Sequence, residues 1–209
     1  MFKNRKDAGI KLAQQLEKYK DKDTIVLAIP RGGVEVGYEV AKFLNCKFDI
    51  LIVRKLGFPN NPEAGFGAIT EDKTTYLIPY IEQELSQNEI DKVKEQEFKE
   101  LQRRLKEYRN NKTLPQLKNK TVIIVDDGIA MGVTLKAAIL FCRKHKPLNL
   151  IVASPVSSEQ TKQEICHLVD DIIILETPIY FSSVSQVYQK FEHVTDEDVK
   201  KIMAKLEHF

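Results

Sequence analysis

The run Thr121-Val122-Ile123-Ile124-Val125, followed at once by Asp126-Asp127-Gly128-Ile129-Ala130-Met131-Gly132-Val133-Thr134, constrains this chain more than any other stretch. A short, unbroken apolar run bounded by polar residues predicts a buried strand. Two acids end it, Gly128 and Gly132 shape a loop, and a helix carried by Leu135, Ala138, Ile139, Phe141 and Cys142 follows. The same order occurs near the N-terminus: a buried strand over 24–29, a break at Pro30-Arg31-Gly32-Gly33, then Val34, Val36, Val40, Ala41 and Leu44 at the spacing of a helix packed on a sheet. Asp49-Ile50-Leu51-Ile52-Val53-Arg54 reads as the second strand of that unit. A strand-helix-strand crossover is parallel and right-handed as a rule. The expected fold is therefore α/β, an open and mainly parallel sheet flanked by helices.

The remaining segments fill out that expectation. Ala8, Leu12, Ala13 and Leu16 mark a helix over 5–18, and turn formers crowd 57–63 before two short runs, 65–69 and 74–78, that can pair as a hairpin around Glu71-Asp72-Lys73. The loop over 57–63 is expected to be mobile. Residues 81–109 carry many charges around a narrow stripe of Leu85, Ile90, Val93, Phe98, Leu101, Leu105 and Tyr108, which predicts a long exposed helix serving as a structural insertion or dimer contact. Strands over 148–154 and 172–175 flank a helix over 159–168, and Thr195-Asp196-Glu197-Asp198 reads as an N-cap with acids in the first turn of a terminal helix. The expected organisation is one domain over 1–209, with a helical insertion at 81–115 and a small C-terminal hood and helix at 176–209.

Charge and composition remove several classes. Thirty-two Lys and Arg against thirty Asp and Glu leave +2, short of the excess a dedicated nucleic-acid binder carries, so no nucleic acid is expected as partner. The longest apolar runs fall far below the roughly 18 residues of a membrane span, and the charged opening Met1-Phe2-Lys3-Asn4-Arg5-Lys6 shows no signal-peptide pattern. The expected compartment is cytoplasmic. Cys46, Cys142 and Cys166 are scattered and read as buried free thiols, and the four histidines show no metal-ligand spacing.

The chemistry concentrates at the strand ends. Backbone N–H groups of a glycine loop at a helix N-terminus suit a phosphate, and Asp126 and Asp127 suit the vicinal hydroxyls of a sugar or a hydrated Mg²⁺ held mostly by phosphates. Together they describe a sugar phosphate. A Walker-type site is unsupported because no Gly-Lys-Ser/Thr follows the glycines. A receiver domain places its acidic pair near the start of the chain, whereas more than a hundred residues precede this one, and the glycine loop argues against a phosphatase with Asp126 as nucleophile.

Residues 122–134 resemble the phosphoribosyl diphosphate (PRPP)-binding motif of the type I phosphoribosyltransferases, and Ile29-Pro30-Arg31-Gly32-Gly33-Val34 is similar to that family's pyrophosphate loop. The resemblance implies transfer of a phosphoribosyl group from Mg²⁺-bound PRPP to a nucleobase or related nitrogen acceptor, with release of pyrophosphate. By it, Asp126 and Asp127 hold the ribose hydroxyls and, through water or PRPP, the Mg²⁺. Gly128, Ile129, Ala130, Met131, Gly132, Val133 and Thr134 grip the 5-phosphate, Gly32 and Gly33 let the backbone approach the pyrophosphate, and Arg31, Gly32 and Lys55 stabilise the departing charge. Glu63 and Lys55 are the polar contributors of the catalytic loop, and Asp127 and Glu63 are both candidates for the base. Tyr180 or Phe181 stacks on the nucleobase from the hood. Met131 departs from the family's usual Thr or Ser, which keeps open a catalytically weak regulatory protein that binds PRPP or a nucleotide. The family commonly dimerises, so a homodimer is a further expectation.

Overall fold

A computed structural model describes residues 1–110 and 112–205. Helix α1 (Arg5–Gln15) leads to β1 (Thr24–Ala28), α2 (Gly32–Leu44) and β2 (Lys47–Ile50). An antiparallel ribbon of β3 (Val53–Phe58), β4 (Asn61–Thr70) and β5 (Thr75–Leu77) follows, then α3 (Gln87–Arg109). The chain continues through β6 (Thr121–Val125), α4 (Val133–Lys144), β7 (Asn149–Val156), α5 (Glu159–Cys166), β8 (Asp171–Glu176) and α6 (Asp196–Ala204). The main sheet is parallel, in the order β2-β1-β6-β7-β8, with β3-β4-β5 as a second sheet.

The parallel sheet is covered on both faces, which is why its strands read as continuous apolar runs. Ile25, Leu27, Val122, Ile124, Leu150 and Val152 meet α4 on one face. Val26, Ile123, Val125, Ile151 and Ala153 meet Leu12, Ala13 and Leu16 of α1 and Val36, Val40, Ala41 and Leu44 of α2 on the other. Alternation along each strand thus feeds two cores, with each fully buried aliphatic side chain contributing on the order of 1.5–3 kcal/mol.

The structure corrects the reading at four places. Residues 49–54 are not one strand: β2 ends at Ile50 in the parallel sheet, and β3 begins at Val53 in the antiparallel ribbon. Both halves are buried, so the apolar run hides the change of partner. The turn formers at 57–63 make the tip of the β3–β4 hairpin, with Phe58 opposite Asn61 and register shifts around Gly57, rather than a separate loop. The hairpin between β4 and β5 turns at Glu71-Asp72-Lys73 as expected, Asp72 accepting from the Thr74 N–H at 2.8 Å. The α3 stripe is not an open dimer face. Ile90, Val93 and Phe98 pack on Leu56, Phe66 and Ile69 of the ribbon, while Leu101, Leu105 and Tyr108 pack against Ala28, Val34, Ile52 and Val199. Finally, Cys142 is buried but Cys46 is half-buried and Cys166 exposed, since α5 turns Cys166 outward. Among the described residues no helix is long and apolar enough to cross a membrane.

Candidate functional site

The two glycine motifs meet because β1 and β6 are neighbours in register, Ala28 opposite Val125. Past β1 the Ile29 N–H donates to Val125 O at 2.9 Å, which carries Pro30 and Arg31, joined by a cis peptide, over the end of β6. The backbones then approach so closely that only glycine fits. A Cβ on Gly32 would lie 1.9 Å from Asp127 Oδ2, and one on Gly33 would lie 2.9 Å from Val125 O and 3.0 Å from Asp126 Cα. The start of α2 therefore sits directly on the acidic pair, at the carboxyl edge of a parallel sheet where such folds place their ligands.

The two acids have different surroundings. Asp126 Oδ1 accepts from the Asp127 N–H at 2.8 Å, and burial, followed by the charge of Asp127, pushes its carboxyl well above the ordinary range. Asp127 instead faces a cation: Arg5 Nε donates to its Oδ2 at 2.7 Å. The Arg5 side chain is only 7% exposed. It also donates to Glu192 O at 2.7 Å, lies 3.7 Å from the Glu35 carboxylate and stacks 3.9 Å above the Phe191 ring. Tyr188 OH donates to the Asp127 carbonyl at 2.6 Å, so the turn is fixed at both side chain and backbone.

The loop after the acids is equally held. Ile129 is buried and its N–H donates to Val156 O at 2.8 Å, tying the loop to the end of β7. Thr161 Oγ donates to Ala130 O at 2.7 Å. Gly132, at φ 69°, occupies the left-handed region and starts α4, whose first turn holds no acid and no side-chain cap. The leading N–H groups of α4, Val133 and Thr134 among them, thus have no intrahelical or side-chain acceptor at the positive end of the helix, a setting that suits an anion. Val133 is buried, Thr134 half-buried, and Met131 is 64% exposed at the loop's crest.

The structure brings Gly32, Gly33, Asp126, Asp127 and the 128–134 loop together; the other predicted residues lie in different settings. Arg31 Nη1 is 3.3 Å from Asp196 Oδ1, so its charge is shared with the start of α6. Lys55 lies on β3 of the antiparallel ribbon, where its Nζ donates to Glu63 O at 2.7 Å, with the exposed Glu63 carboxylate 3.9 Å away across the ribbon. Its neighbour Arg54 pairs with Glu97 of α3. Tyr180 is 90% exposed in the hood, whereas Phe181 packs against the buried cluster of Phe2, Val156, Val187 and Tyr188. The hood is anchored by Val184, which presses on Gly128, and by Gln186, whose amide donates to Tyr180 O at 2.9 Å.

Arg5, Tyr188 and Phe191 are the site residues that sequence reasoning missed. Arg5 opens a helix where a solvated arginine is ordinary, and its partners lie 30 to 187 positions away, so no local signal marks it. Among the described residues no group of three or more His, Cys, Asp or Glu can hold a metal. Asp126 and Asp127 alone form no cage; a hydrated cation that brings most of its own oxygen ligands is the kind such a pair can hold.

Comparison with known proteins shows the family of the chain. Residues 2–189 match the family profile described as phosphoribosyl transferase domain. A Mycobacterium tuberculosis protein named "Putative phosphoribosyl transferase" is 38% identical over 201 residues, covering 95% of this chain and 45% of its own length. The chain thus spans about half the length of the curated relatives it matches. The crystal structure of TT1426 from Thermus thermophilus superposes with a TM-score of 0.83 at 33% identity, covering 98% of each chain. The AQ2163 protein from Aquifex aeolicus shares the fold, with a TM-score of 0.53 at 16% identity over 83% of this chain and 74% of its own.

Proposed function

Because this chain belongs to the phosphoribosyl transferase family, we propose that it binds Mg²⁺-bound PRPP at the Gly32/Asp127 junction and transfers the phosphoribosyl group to a nitrogen acceptor such as a nucleobase, releasing pyrophosphate. The observation that carries this reading is the direct seating of the Gly32-Gly33 backbone on Asp126 and Asp127, beside the anion-ready start of α4. A 5-phosphate at Val133 and Thr134 and a diphosphate at Gly32 and Gly33 leave the ribose over the acids.

In this reading each residue has a distinct task. Asp127, oriented by Arg5, accepts hydrogen bonds from ribose hydroxyls through its remaining oxygen. Asp126, whose carboxyl retains its proton more readily than an ordinary aspartate, donates to or accepts from the neighbouring hydroxyl. Arg31 and the backbone of α2's first turn stabilise charge as it develops on the departing diphosphate; a Mg²⁺ bound with the substrate beside Asp126 and Asp127 would supply further charge neutralisation there. Lys55 Nζ and Glu63 meet at the exposed end of the β3–β4 hairpin, beyond its packed Leu56, Phe66 and Ile69, and cover the reacting centre when that end bends toward it, while Tyr180 stacks on the acceptor. The test is pyrophosphate release from PRPP and Mg²⁺ across a panel of purine and pyrimidine bases. Acceptor-dependent release that disappears in Asp127→Asn supports the proposal; PRPP binding with no release for any base favours a regulatory protein, the reading that exposed Met131 in the phosphate loop also favours.

A further inference from the structure

The segment that leads into α6 touches both glycine motifs. Tyr188 OH donates to Asp127 O and Glu192 O accepts from Arg5 Nη1, so residues 188–192 hold the acidic turn. Phe191, His193 and Val194 then line, with Arg31 and Gly32, a cleft of about 300 Å³. That is at the small end of the roughly 300–1,000 Å³ of ligand sites. The segment ends in α6, whose first turn carries Asp196, Glu197 and Asp198.

Acids in a first turn are ordinary, because the helix N-terminus favours negative charge. Asp198 closes a capping box with Thr195, and Glu197 accepts from Lys200. Asp196 differs because its partners come from two other helices. Its Oδ1 accepts from Tyr108 OH at 2.5 Å and from Arg31 Nη1 at 3.3 Å, and its Oδ2 accepts from Arg103 Nη2 at 3.2 Å. Tyr108 and Arg103 stand on α3, and Arg31 caps the start of α2. Tyr108 above all, then Arg103 and Arg31, hold the Asp196 carboxyl down to about 2, so it is ionised at neutral pH. The base of this arrangement is rigid, since Tyr108 is buried with Val34, Val194 and Val199. Arg31 is half-buried and engaged through Nη1, and its Nε and Nη2 have no partner among the described residues.

We infer that Asp196 is a positioning residue for phosphoribosyl transfer: anchored on α3, it holds one edge of the Arg31 guanidinium and leaves the other for the diphosphate beside Gly32. The inference rests on the reading that Arg31 meets that diphosphate. Ordering a long side chain in advance removes rotamer freedom that binding would otherwise cost. Calorimetric titration of inorganic pyrophosphate with Mg²⁺, and separately of ribose 5-phosphate, into the parent, Asp196→Asn, Arg31→Gln and the double variant tests it. Asp196→Asn keeps an acceptor for Tyr108 and removes the charge that holds Arg31. Pyrophosphate is expected to weaken about fivefold in Asp196→Asn and about tenfold or more in Arg31→Gln, with no further loss in the double variant. Ribose 5-phosphate, seated on the α4 loop, is expected to stay within about twofold throughout, whereas a general loosening of the fold would weaken both ligands. Pyrophosphate affinity unchanged or tighter in Asp196→Asn, equal losses for the two ligands, or a further loss in the double variant overturns the positioning role. A parent that binds no pyrophosphate, or an Arg31→Gln variant that binds it as tightly as the parent, overturns the underlying reading and the inference with it. If Asp196→Asn does not fold, Asp196→Ser takes its place with the same expected losses.

Discussion

Replacing Arg5 by Met removes the cation that joins four parts of the site while keeping most of the side-chain volume on Phe191. Arg5 meets Asp127 Oδ2 at 2.7 Å and Glu192 O at 2.7 Å, with Glu35 at 3.7 Å. Removing one partner of a buried pair costs about 3–5 kcal/mol because the other charge stays buried. Two features set the value. Asp127 is 16% and Glu35 37% exposed, so water relieves part of the penalty. Against that, the Glu192 carbonyl loses its donor, about 1 kcal/mol, and the cation–π contact is lost, about 0.5–2 kcal/mol. The expected loss of unfolding free energy is about 3 kcal/mol, which for a chain of this size lowers Tm by roughly 6–12 °C. Urea unfolding followed by far-UV circular dichroism and by tyrosine emission, which seven tyrosines and no tryptophan make usable, measures it. A loss below about 1 kcal/mol, with coincident transitions, would refute the claim that Arg5 is the electrostatic keystone of the Asp127 turn.

Three further outcomes are expected. Because burial raises the Asp126 carboxyl above its unfolded value, its contribution to stability is complete below about pH 4 and is lost as pH rises through the folded value. Asp126→Asn, which mimics the protonated form, should therefore unfold less readily than the parent at pH 8, with the gap closing toward pH 4; chemical denaturation across that range checks the sign. Leu101→Ala should cost about 3 kcal/mol, since Leu101 is fully buried between α3 and the sheet edge, whereas a peripheral appendage would tolerate it with almost no change in the urea midpoint. Met131→Thr restores a hydroxyl at the crest of the phosphate loop and should tighten ribose 5-phosphate about fivefold, roughly 1 kcal/mol, by calorimetry; unchanged affinity would mean that the backbone alone holds the phosphate.

Much of this architecture is legible in the chain because burial writes itself into composition. β1 and β6 stand out as apolar runs for the simple reason that both their faces are covered, and the acids and glycines after them mark where the sheet ends. Residues 49–54 are opaque for the same reason: when both neighbours of a junction are buried, nothing in the side chains shows that hydrogen-bonding partners change between Ile50 and Val53. The polarity of α3 suggests an outlying helix, yet a narrow stripe suffices to seat it on two separate cores. Arg5 is unreadable because its role exists only once Asp127, Glu192 and Phe191 have converged on it.

The central claim, that the paired glycine motifs form a site for a phosphorylated ribose diphosphate, is tested most directly by calorimetric titration of PRPP with Mg²⁺ into the parent chain and into Asp126→Asn/Asp127→Asn. Saturable one-to-one binding in the parent, reduced at least tenfold in the double variant and competed by ribose 5-phosphate, is the predicted result. Absence of heat and of competition at millimolar ligand, from a chain shown by circular dichroism to be folded, would contradict it.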